Sequence, residues 1–161
     1  MSLLRRLAAA AVSVAILVAV LPAAPASAGT RAVHGRLAGP SASCSIPEPG
    51  SAFIGQATLR FSDGSAPNFR DARVAVSARG LTPGSTFEVF VVELFISEGK
   101  PVGCAGFSFG AFTASRTGHG HFVGGREDSF FSGPRTMQVF ITDRGFPGPS
   151  FETGPLQIVI P

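Results

Sequence analysis

The chain has 161 residues, a formal net charge of +3 and 15 phenylalanines, with neither tryptophan nor tyrosine. That length fits one domain with a core large enough to fold by itself. Its basic residues stand singly rather than in runs, which gives no phosphate-tracking stripe along the sequence and makes nucleic acid an unsuitable partner.

The first segment is a three-part leader. Arg5 and Arg6 precede an apolar run from Leu7 to Leu21, and Ala26-Ser27-Ala28 has the small-residue pattern of a cleavage site. The run is too short for a comfortable membrane span. Residues 1–28 therefore read as a cleaved signal peptide, leaving a secreted, extracellular chain with no membrane span. Removing the leader takes two arginines and leaves 11 basic residues against 10 acidic ones, a net charge of +1.

Residues 29–52 are rich in Gly, Pro, Ser and Ala and show no periodicity. Gly39-Pro40 and Pro47-Glu48-Pro49-Gly50 read as an extended arm. Cys44 lies in this arm, and Cys104 is the only other cysteine. An even count in an exported protein favours a disulfide, which would pin the arm to the domain; two separate thiols are the alternative. Closing a loop of about 60 residues is worth roughly 4 kcal/mol in the chain-entropy account, before native strain.

Residues 53–161 read as strand after strand. Ala57, Leu59 and Phe61 alternate with polar neighbours, as do Ala72, Val74, Val76 and Ala78. After the turn at Gly80–Gly84, Phe87 to Ile96 is the most apolar strand, interrupted only by Glu88 and Glu93, with a bulge expected near Glu93. Phe107, Phe109 and Ala111 suggest the next strand and His119 to Val123 a weak one. Met137, Val139 and Ile141 alternate within Thr136–Thr142, and Leu156, Ile158 and Ile160 close the chain. No stretch has a helical period. About seven strands divided by turn signals predict an all-β, immunoglobulin-like antiparallel β-sandwich. Phenylalanine would fill the gap between its sheets, and any excess would line a cavity.

Few residues suggest chemistry. His119 and His121 are two residues apart and share one strand face, a spacing that can chelate a transition metal if His34, Glu127 or Asp128 completes the set. The glycines around them fit a solvated turn equally well. No serine stands on a strand-to-helix elbow, and no two carboxyls converge, so no enzyme is expected. Glu88 and Glu93, five positions apart, face opposite sides of a regular strand. Each is expected to meet an arginine or, alternatively, to edge a pocket.

The stretch Val74-Ala75-Val76-Ser77-Ala78-Arg79-Gly80-Leu81-Thr82-Pro83-Gly84-Ser85-Thr86-Phe87-Glu88-Val89 resembles a strand, turn and strand of the neocarzinostatin family. Cys104, Phe109, Thr113-Ala114-Ser115-Arg116-Thr117-Gly118, Ser129-Phe130 and Gln138-Val139-Phe140-Ile141-Thr142-Asp143 continue the likeness in order, over about residues 72–160. Those secreted apoproteins are seven-stranded immunoglobulin-like sandwiches that hold an enediyne chromophore. Here Val92 stands where the family has its first pocket cysteine, Leu94 where it has a pocket tryptophan, and its second disulfide is missing. The resemblance implies a monomeric, non-enzymatic protein with no cofactor that holds an apolar small molecule between its sheets. Leu94, Phe109, Phe130 and Phe131 would form the site, with Glu88 at its polar edge. Two other readings stand beside it: an extracellular or cell-envelope interaction module using exposed Phe residues or a free sheet edge, and a metal-binding protein using His119 and His121.

Overall fold

The computed structural model describes residues 31–40, 44–130, 132–144 and 149–161. The leader and Phe131 lie outside these. The described residues form nine strands and no helix: β1 Arg31–Gly39, β2 Ala52–Asp63, β3 Arg70–Ala78, β4 Thr86–Ser97, β5 Lys100–Thr113, β6 Gly120–Asp128, β7 Gly133–Asp143, β8 Ser150–Thr153 and β9 Leu156–Ile160. All pairings are antiparallel. The all-β expectation holds, but the strand count and the division into two sheets do not match it. One continuous sheet runs β5-β4-β7-β8-β1-β2-β3-β6, with β9 also on β7.

The extra strands come from segments whose pattern is hidden. Residues 31–39, assigned by composition to the arm, form β1 between β2 and β8. Its inward positions are Val33, Gly35, Leu37 and Gly39, so two of four carry no side chain and the apolar alternation disappears. A Cβ at Gly35 would come within 2.8 Å of Thr153, and one at Gly39 within 2.7 Å of the Ser150 carbonyl. Glycine there lets β8 and the chain leading to β9 pack tightly against β1.

The sheet curls until its edge strands β5 and β6 meet, enclosing a core built on Leu37, Leu59, Phe61, Val74, Val76, Phe87, Val89, Val91, Val139 and Ile141. No hydrogen-bond ladder joins β5 to β6 among the described residues; side chains close the seam. The Phe122 ring lies 3.1 Å from where a Cβ on Gly110 would be, and it would overlap one on Gly124. Arg126 reaches across to the Ser108 carbonyl at 3.5 Å and stacks 4.8 Å from the Phe107 ring.

The pairing of β4 with β5 slips twice, at Val89/Phe90 and at Phe95/Ile96, so the extra residues are Phe109 and Val102 of β5 rather than one near Glu93. The bulge at Phe109 reverses the inside-outside parity of the rest of β5. Phe112 therefore enters the core, where the sequence pattern pointed to Ala111.

Cys44 and Cys104 form the expected disulfide, with Cα atoms 5.7 Å apart. It fastens residues 44–46 over the outer face of β4, β7 and β8. Beneath them Gln138 donates to the Ser45 carbonyl at 2.8 Å and to the Thr153 carbonyl at 2.7 Å, while Ser45 Oγ donates to Glu152 at 2.5 Å. Gln138, Glu152 and Thr153 are fully buried, each as part of this polar layer.

Candidate functional site

The site follows from a fork in the sheet. The β4–β7 ladder ends at the pair Glu93–Met137. Beyond it the β4–β5 hairpin continues alone to the two-residue turn Glu98-Gly99, while β7 turns to pair with β9 from Met137 back to Gly133. Glu98 and Gly99 have φ of 51° and 75°, the positive values of a type I′ hairpin turn.

A cleft of about 310 Å³ opens in this fork. Strand alternation aims Val91, Glu93 and Phe95 of β4 into it, together with Ala105 and Phe107 of β5. Arg135 and Met137 of β7, Ile160 of β9 and Ser129-Phe130 after β6 complete the wall. The Phe130 ring is held edge-on by Phe61 at 5.2 Å and by Phe107 at 5.6 Å. The cleft is thus a continuation of the core at the end where the seam is not filled.

Its polar element is one ion pair. Arg135 Nη1 donates to Glu93 Oε1 at 2.9 Å, and both side chains are 29% exposed. The two charges face one another at one side of the cleft. The arrangement can enclose an apolar body and present paired charges at one side of it.

The sequence-predicted site residues are divided rather than assembled. Of those among the described residues, Phe130 alone lines the cleft, and Phe131 lies outside the described residues. Leu94 is buried on the opposite face of β4, directly across from Cys104. Phe109 packs against the core near the β5–β6 seam, and its carbonyl approaches Gly124. Glu88 is on the outer face, where it accepts from Ser108 Oγ at 2.7 Å and pairs with Arg144 at 3.4 Å. Glu88 and Glu93 do face opposite sides, and both meet arginines; Glu93 is the one at the cleft. The missed residues had a sequence signal: the odd positions Val91, Glu93 and Phe95 continue the inward parity of Phe87 and Val89.

His119 and His121 are both exposed, and Gly120 between them points at Phe112 and Leu81. His34 donates to or accepts from Thr58 Oγ1 at 2.9 Å on β1, three strands from His121. That is about 14 Å across the sheet. Glu127, six residues along β6, is about 20 Å away. Among the described residues no three His, Cys, Asp or Glu side chains gather as a metal site would require.

No protein-family model, curated protein or solved structure matches the chain.

Proposed function

We propose that the protein is an exported, non-enzymatic binding protein that holds an apolar small molecule in the fork between the β4–β5 hairpin and β7–β9. The single observation carrying this reading is the cleft itself. Val91, Phe95, Phe107, Phe130, Met137 and Ile160 supply apolar walls, and the Glu93–Arg135 pair supplies one polar feature. Binding sites for small molecules have this composition, and about 310 Å³ lies at the low end of their size range. The disulfide and the absence, among the described residues, of a helix able to cross a membrane are compatible with export of the mature chain.

In this reading the resemblance to the neocarzinostatin family extends to a secreted ligand carrier, with the ligand moved. Val92 and Leu94, at the family's pocket positions, lie on the outer face of β4 that carries the disulfide to the arm, so the open cavity is on the inner side.

Native mass spectrometry of protein taken from its own culture medium should show a retained ligand by mass. The purified chain should bind the apolar fluorophore anilinonaphthalene sulfonate in the cleft with blue-shifted emission. Phe107→Ser, which removes one wall at the half-open mouth, should weaken that binding about tenfold. Failure of the chain to bind the dye, or binding indifferent to Phe107→Ser, would overturn the reading.

A second reading is favoured by one specific feature. Phe95, Ile96 and Val102 are 47%, 42% and 67% exposed around the hairpin tip, on a hairpin whose outer edge has no ladder partner among the described residues. Such an edge suits an extracellular macromolecular partner. Phe95→Ser together with Val102→Thr would abolish that contact.

A further inference from the structure

The opposite half of the curled sheet carries a charge pattern that the linear sequence conceals. Register aligns β1, β2, β3 and β6 in rows on their outer face. One row is Ala32, Arg60, Arg73, Gly125; the next is His34, Thr58, Ala75, Val123; the third is Arg36, Gln56, Ser77, His121. Arg79 and His119 stand just past the third row, beside Gln56 and Ser77. Four arginines and all three histidines of the chain are therefore exposed on one face. The face measures about 14 by 20 Å from strand spacing and rise.

No carboxylate stands in these rows. The nearest, Asp71 and Glu127, lie one row beyond Arg73, where Asp71 accepts from Arg73 Nε at 2.9 Å and Glu127 from the Ser65 amide. Eleven basic and ten acidic residues lie after position 28, so four arginines here leave seven basic against ten acidic groups elsewhere. A nearly neutral chain thus has a basic face and an acidic remainder.

Arg60 and Arg73 are directly opposite one another across β2 and β3. Like charges in that position weaken a sheet. Stability does not account for the pair, and among the described residues Arg60 has no carboxylate partner to offset it. Arg60 and Arg73 are neighbouring positive charges, Arg73 already paired with Asp71, and together they suit an anion with several acceptor oxygens. They border a shallow depression of about 240 Å³ with Ser62 and Asp71. A second depression, of about 360 Å³, lies further along the face beside Gln56, Ser77, Arg79 and His119.

We infer that this face binds a linear phosphodiester polymer of the cell exterior, one whose repeating units carry no bases. Two separated basic depressions on a low-relief surface fit successive charges of a chain rather than one ion. Small side chains (Ala32, Thr58, Ala75, Ser77) keep the surface flat enough for a chain to lie across it. Nucleic acid is the less suitable phosphodiester, because single strands are held by stacking on aromatic rings. The aromatic ring beside the face, Phe53, is already covered by the Arg36 guanidinium at 4.3 Å.

The test is binding of the oxidised full chain to an immobilised glycerol-phosphate polymer over a range of salt concentrations. Affinity should fall steeply with salt. Arg60→Thr and Arg73→Thr should each weaken binding about fivefold, and the pair together more than roughly tenfold. Melting temperature should stay level or rise in Arg60→Thr, since a like-charge contact is removed, whereas Arg73→Thr also loses the ion pair with Asp71. Lys100→Thr removes the same charge from the tip of the β4–β5 hairpin, outside the face, and should change nothing. The inference is overturned if the polymer does not bind at low salt or if Lys100→Thr costs as much as Arg60→Thr. It also fails if single-stranded poly(dT) or anionic lipid vesicles bind as tightly as the polymer. Binding of dye in the cleft is independent of every one of these outcomes.

Discussion

At the scale of single residues, Glu127 is a group whose titration the structure perturbs. Ser65, first through its hydroxyl and then through its backbone amide, stabilises the charged carboxyl and lowers its pKa below the usual glutamate value; slight desolvation and Asp71 oppose this. A carboxyl with a lowered folded pKa adds stability that is complete above its unfolded pKa and is lost as pH falls through the folded one. Carboxyl-detected NMR should therefore place the Glu127 inflection below that of free glutamate. Ser65→Ala should raise it only part of the way, because the backbone amide remains. An inflection at the free value would refute the contact. Glu98 offers a stability prediction of the opposite kind. It holds φ at 51° in the two-residue turn between β4 and β5, a conformation that asparagine tolerates better than glutamate. Glu98→Asn should stabilise the fold by about 0.5 kcal/mol, read from the urea midpoint at unchanged slope. The parity of Glu88 and Glu93 was legible from sequence because only their separation mattered. Which of them reaches a cavity was not, since that depends on where β7 parts from β4.

At the scale of elements, strands with clean alternation were legible: β2, β3, β7 and β9 all lie where Leu59, Val74, Val139 and Ile158 suggested. Those that escaped did so for local reasons. β1 hides its inward face behind Gly35 and Gly39, β8 has only four residues, and the Phe109 bulge exchanges Ala111 for Phe112 in the core. The arm's disulfide was legible from cysteine count and compartment. What lies under it was not, because nothing in a sequence marks Gln138 and Glu152 as buried. Cys44→Ala with Cys104→Ala removes a cross-link spanning 60 residues. The chain-entropy estimate for that loop is about 4 kcal/mol, an upper figure where reduced chains keep some structure. Denaturation should show a loss of up to that size. Amide exchange should also accelerate at Val139, whose N–H donates to Thr153 Oγ1 at 3.1 Å beneath the arm. Protection unchanged at Val139 would mean that β7 and β8 hold the layer closed without the arm.

At the scale of the whole molecule, both proposed sites depend on how distant strands come together. The cleft needs residues from β4, β5, β7 and β9 with the loop after β6, and the basic face needs the register of four strands. Charges that stand singly along the chain gather at neighbouring positions once β1, β2, β3 and β6 pair. That is why scattered arginines gave no sign of a partner in the sequence. The cleft can be tested by filling it. Ala105 lies on β5 among the cleft walls and is exposed, so a larger side chain there enters open volume rather than packed core. Ala105→Trp also introduces the chain's one tryptophan, since the natural sequence has none. Its indole should settle among Val91, Phe107 and Met137, emit at short wavelength and exclude the apolar dye. Stability should change by less than about 1 kcal/mol, because overpacking costs more than that only where the space is already filled. Long-wavelength emission with dye binding intact would show that the cavity does not lie between these walls. A loss of several kcal/mol would show that the fork is closed in solution, leaving no room for a ligand between the hairpin and β7.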